Sequence, residues 1–117
     1  MDMSKYRELF ISETREHLRA MNELVVSLER DGSNRDQIDS LFRSAHSVKG
    51  MAASMGYGAI AELSHRMEDL MDRVRKGIFP FNPEVADLLL EGADTLEAMV
   101  RDVGEERSEV RDVADRH

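Results

Sequence analysis

Along residues 4–30, Phe10, Thr14, His17, Met21, Leu24 and Leu28 recur at spacings of four and three, with Leu18 and Val25 beside them. The opposite positions are charged. This is the period of an amphipathic helix, predicted from about Ser4 to Arg30 and ended by Asp31-Gly32. A second helix is predicted after Ser33-Asn34, either of which can cap its first N–H groups. Ile38, Leu41, Ala45, Val48, Ala52 and Met55 form its apolar stripe, and Gly56 and Gly58 mark a tight turn around Tyr57. A third helix carries Ile60, Leu63, Met67, Leu70 and Val74 on one face and stops at Gly77. Asn82-Pro83 signals the start of a fourth, with Val85, Leu88, Leu89, Leu96, Met99 and Val103 facing inward.

Strand-like alternation persists nowhere. Four amphipathic helices joined by short loops predict an all-α, up-down antiparallel bundle. After Gly104 the text EERSEVRDVADRH is dense in charge, with only Val110, Val113 and Ala114 apolar. The expected organisation is a four-helix bundle over residues 1–104. Residues 105–117 are a charged C-terminal tail, either a partial helix or the start of a linker. The terminal His117 is expected to be disordered.

The length of 117 residues suits one domain with a core of its own. No cysteine is present, which removes disulfides, thiolate metal sites and a Cys nucleophile. A net charge of −8 opposes binding to a phosphate backbone, so no nucleic-acid partner is expected. No apolar run approaches the roughly 18 residues of a membrane span. MDMSKYRELF has neither a basic leader nor an apolar core, so no signal peptide is expected. The expectation is a soluble cytoplasmic protein that docks on other proteins.

The segment AHSVKGMAASMG, residues 45–56, places a His, a Lys and a Gly within one turn of the second helix. At 100° per residue, His46 points about 120° away from the stripe centred on Ala45 and Ala52. It therefore faces water, with Lys49 and Gly50 one turn along on the same side. His46 lies 11 residues before Tyr57 and Glu68 lies 11 after it; Lys49 lies 8 before and His65 lies 8 after. An antiparallel hairpin about Tyr57 thus sets His46 level with Glu68, and Lys49 level with His65. Glu68 is placed about 100° from the centre of its own stripe, a boundary position. A carboxylate that accepts one ring N–H fixes the tautomer and raises the basicity of the other nitrogen. That nitrogen can attack a phosphoryl group. Lys49 offers charge to phosphoryl oxygens, and Gly50, which weakens the helix by about 1 kcal/mol relative to Ala, clears room for a partner.

HSVKG followed by AASMG resembles the histidine phosphotransfer (HPt) motif, H-x-x-K-G with a further Gly six residues on. HRMEDLMD and FISETREHL are similar to the third and first helices of one branch of that family, the N-terminal phosphotransfer domain of CheA-type chemotaxis histidine kinases. The resemblance covers about residues 5–104. It implies an HPt-like helical bundle, monomeric as an isolated domain, to which a short or partial fifth helix can be added. His46 is then the phosphorylated residue, through Nε2, and Glu68 holds its other ring nitrogen. Lys49 and His65 belong to the surrounding polar shell. The implied donor is the ATP-binding domain of the kinase, where ATP and Mg²⁺ reside. The implied acceptor is an aspartate of a response-regulator receiver domain of CheY or CheB type. The domain is then a carrier and no enzyme on its own, with no cofactor.

Blander readings stand beside these. His46 alone could be a solvated surface histidine, and Glu68 an ordinary helix-face charge. The whole chain could be a stand-alone helical adaptor without phosphotransfer. His65 with Glu68 is too small a set for zinc, which takes three or four ligands, so no metal site is expected. His17 sits in the first stripe and reads as a half-buried structural residue. The methionines fall mostly at core spacing. GMAASMG lacks the lysine and second glycine of a phosphate loop, and neither G-x-S-x-G nor H-E-x-x-H occurs.

Overall fold

The computed structural model describes the backbone of residues 3–116 and the side chains of residues 3–105. The chain forms four helices, α1 (Met3–Arg30), α2 (Arg35–Met55), α3 (Gly58–Arg75) and α4 (Pro83–Arg116). Consecutive helices pack on each other and α1 closes on α4. Among the described residues the backbones of the two diagonal pairs do not come close. That is the square cross-section of an up-down bundle, as the period and the short loops predict. Among the described residues no helix is long and apolar enough to cross a membrane.

The loop chemistry sets the helix ends. The α2 cap is Asn34, whose Oδ1 accepts the Gln37 N–H at 3.1 Å. Ser33 instead donates its hydroxyl and its N–H to Asp31 Oδ1, at 2.6 and 3.2 Å. Gly56 and Gly77, both at φ 77°, close α2 and α3 in the left-handed conformation that costs glycine least. Asn82 Oδ1 accepts the Val85 N–H at 2.9 Å and starts α4. The backbone of α4 then runs on through Gly104 to Arg116, without a break at the expected start of the tail. Among the described residues there is no fifth helix. His117 and the side chains of Val110, Val113 and Ala114 lie outside the described residues.

The core forms where the four stripes meet, around Met21, Leu28, Leu41, Met71, Leu89 and Leu96. His17 is half-buried, as expected. The stripes are rotated from the hydrophobic pattern in two places. On α3, Ser64 and Met71 are fully buried, while Leu63 and Leu70 are only half-buried. The true centre lies about 50° round the helix from the apolar one, because the small Ser64 fits between helices where larger side chains would not. On α4, Leu88 is exposed at 56% and Ala86, Ala93 and Val100 are buried instead. Half-buried Met55 and Met99 sit at the edge of the core. At Gly92 the helices approach closely, and a Cβ would lie 2.8 Å from Met67 Sδ.

Candidate functional site

α2 and α3 share the most extensive helix–helix contact. Ser44, Ala45 and Ala52 are buried on α2, and Ser64 is buried one turn before Glu68 on α3. Side chains this small let two helices approach closely. Glu68 is therefore not the boundary residue expected from the apolar stripe. It is buried, with 8% of its surface exposed, because the rotation of α3 carries it inward.

A buried carboxylate needs partners, and both come from α2. Glu68 Oε2 contacts His46 Nδ1, and Oε1 accepts from Lys49 Nζ at 2.8 Å. Burial pushes the Glu68 carboxyl upward. The hydrogen bonds from Lys49 and His46, and their charge, outweigh it and hold the group below its ordinary value. The imidazole points the other way, into water, with 63% of its side chain exposed. The level match of His46 with Glu68 is thus a direct contact. Lys49 joins the same carboxylate, and only 28% of its side chain is exposed. His65 Nε2 lies 3.6 Å from Asp69 Oδ1, one turn along its own helix. Gly50 is exposed, and a Cβ there would meet nothing within 4 Å. The fold itself does not require that glycine.

Two residues of this neighbourhood escaped the sequence reading. Asp69 partners His65, and the i,i+4 spacing on α3 was the available signal. With Glu68 these residues place three ligand-type atoms within 4.8 Å of one another, but both Glu68 oxygens already serve α2. Phe42, one turn before His46, lies beside the imidazole. It reads in sequence as an extra apolar residue off the stripe, and nothing there marks its place.

The lowered Glu68 value has a sign. Ionised Glu68 binds its partners only in the folded state. Its contribution is complete above its ordinary value of 4.5 and is lost as pH falls through the lower folded value. Acid unfolding of the wild-type chain is expected to steepen below about pH 4.5, and Glu68→Gln to unfold with a shallower dependence. Asp31, held low by Ser33, and Asp72, held low by Lys76 and Arg75, keep a residual slope in both proteins. Identical pH profiles of denaturant midpoints would contradict a stabilising ionised Glu68.

The Hpt domain family matches residues 5–106. The chemotaxis protein CheA of Bacillus subtilis is 37% identical over 115 residues, which is 98% of this chain but 17% of that protein. The chain thus spans about a sixth of the length of this relative. The CheA phosphotransferase domain of Thermotoga maritima superposes with a TM-score of 0.85 at 29% identity, covering 88% of this chain and 98% of that domain. A phosphorylated CheA domain from R. sphaeroides, solved in complex with a CheY protein, gives 0.82 at 27% identity, covering 88% of this chain and 80% of that one. With its matched helices and a histidine–glutamate pair bridging α2 and α3, the chain belongs to the Hpt domain family and is similar to the phosphotransfer domains of CheA chemotaxis proteins.

Proposed function

We propose that this domain carries a phosphoryl group on His46 Nε2 between a CheA-type kinase and a response regulator. The single observation that supports it best is the grip of buried Glu68 on Nδ1 of an exposed imidazole. A carboxylate at Nδ1 keeps the proton there, so the Nε2 lone pair is free. Nε2 attacks the γ-phosphorus of ATP held by the kinase domain. The N–P bond forms as the bond from that phosphorus to the bridging oxygen breaks, and ADP leaves. The ring becomes cationic, and Glu68 stabilises it. Transfer onward breaks the N–P bond as an aspartate oxygen of a receiver domain takes the phosphoryl group.

Lys49 has two tasks in this reading. It neutralises the second Glu68 oxygen, and its charge is available to the phosphoryl oxygens. His65 with Asp69 adds a polar shell. ATP and Mg²⁺ belong to the kinase partner, the domain binds no cofactor of its own, and it acts as a monomeric carrier without turnover. The ATP-dependent donor fits the cytoplasmic location expected from the sequence.

The test is incubation with a CheA-type kinase core lacking its own phosphotransfer domain, with ATP and Mg²⁺, followed by a receiver domain. Acid-labile, base-stable phosphate mapped to His46, then lost to the receiver, supports the proposal. No label from several cores and none from phosphoramidate would favour a helical adaptor whose binding does not depend on His46.

Gly50 supplies a separate check. Because a Cβ has open space there, Gly50→Ala is expected to stabilise the helix by about 1 kcal/mol and raise Tm by roughly 4 °C. Bulkier Gly50→Leu is expected to slow labelling by the kinase core while leaving labelling by phosphoramidate unchanged. Equal slowing with both donors would argue against a role in partner access.

A further inference from the structure

Glu68 fixes which ring nitrogen of His46 faces inward. A single contact at Nδ1 leaves the ring free to tilt about that contact, and the tilt swings the Nε2 lone pair. A second group limits this motion. The half-buried ring of Phe42 lies nearly parallel to the imidazole, with centroids 6.2 Å apart and planes inclined by 16°. That spacing is within the range of attractive offset stacking. Phe42 is itself anchored, since the Arg75 guanidinium carbon sits 4.0 Å from its ring centroid, a cation–π distance. Arg75 in turn donates to Asp72 Oδ1 at 2.6 Å, and Asp72 Oδ2 also takes Lys76 at 2.8 Å. A continuous series of contacts thus runs from the C-terminal turn of α3 to the imidazole on α2.

We infer that Phe42, anchored by Arg75, is a positioning residue for phosphoryl transfer: it sets the tilt of the His46 ring and so the direction of the Nε2 lone pair. Phe42 works through the imidazole alone and needs no contact with the phosphoryl group. The inference rests on the reading of His46 as phosphoryl acceptor. It goes beyond that reading by assigning the second restraint that a nucleophile on an exposed side chain needs.

Phosphoramidate tests it without a docking partner. Its phosphoryl group passes to Nε2 as the bond to its own nitrogen breaks and ammonia leaves. Labelling of His46 in Phe42→Leu is expected to be about three- to tenfold slower than in wild type, the effect of losing one aromatic pair. Ring order measured by NMR relaxation at His46 is expected to fall in parallel. With a kinase core and ATP, kcat is expected to fall while KM holds. Phe42→Tyr should restore rate and order. Arg75→Met leaves the core untouched and should give an intermediate loss.

Equal phosphoramidate rates and equal ring order in Phe42→Leu would overturn the inference. So would slowing with the kinase alone, which would make Phe42 a docking contact. A wild-type chain that takes no label from any donor would instead overturn the acceptor reading, whatever the ring order shows.

Discussion

His46→Gln is expected to take up no phosphoryl label from a CheA-type kinase core with ATP and Mg²⁺, a complete loss against the wild-type chain. Glutamine keeps a polar group that can donate to Glu68, but it has no lone-pair nitrogen able to attack phosphorus. The variant is expected to fold. With 63% of its side chain exposed, His46 contributes little packing, and because glutamine can still donate to buried Glu68 the loss of stability is expected to stay at about 1 kcal/mol or less. The comparison therefore separates chemistry from stability. Cooperative melting of a folded variant that carries no label would place the phosphoryl group on His46. Persistent label in the variant would move the acceptor to another residue and end the proposal.

Glu68→Gln is the second large effect. The isosteric amide fills the same buried space but cannot accept from His46 and Lys49 together as an anion. Hydrogen bonds to charged groups contribute about 1.5–3 kcal/mol. If most of that is felt as the ring becomes cationic in the transition state, phosphorylation should slow by about ten- to a hundredfold. Lys49 loses its ion-pair partner at a half-buried position, so some loss of stability is expected as well. Two measurements divide these effects. The phosphorylation rate reports the transition state, and the His46 ring nitrogen shifts report the tautomer. A variant that folds, keeps its Nδ1 proton and reacts at the wild-type rate would remove Glu68 from the mechanism.

Local chemistry carried most of the fold into the sequence. Helix ends were legible because capping is a matter of a few adjacent residues. Asn34, Gly56, Gly77 and Asn82 act where their types predict. The candidate site was legible by counting, since a helical hairpin has a fixed rise per residue. A turn at Tyr57 then fixes His46 against Glu68 without knowledge of the packing.

The depth of each residue was not legible in this way. Hydrophobicity placed the α3 stripe through Leu63 and Leu70, yet the core chose Ser64 and Met71. Burial is decided by which side chains fit between two particular helices, and a small polar residue can win that contest. From the α3 stripe alone, Glu68 was a boundary charge. Its burial, the capture of Lys49 by its second oxygen and the depressed carboxyl all follow from that rotation. Leu88 shows the reverse error, an apolar residue left exposed on a face of α4 that no other described residue covers.

By itself, then, the sequence determined four amphipathic helices, their caps, the direction of each hairpin and an exposed histidine level with a glutamate. These depend on the periodicity of one helix or the length of one turn, which are properties of contiguous residues. Only the tertiary structure decided that Glu68 is buried, that Lys49 shares it and that Phe42 lies against the imidazole with Arg75 behind it in the same series. Those depend on how one helix is rotated against its neighbours. That rotation is set by the joint packing of side chains far apart in the chain.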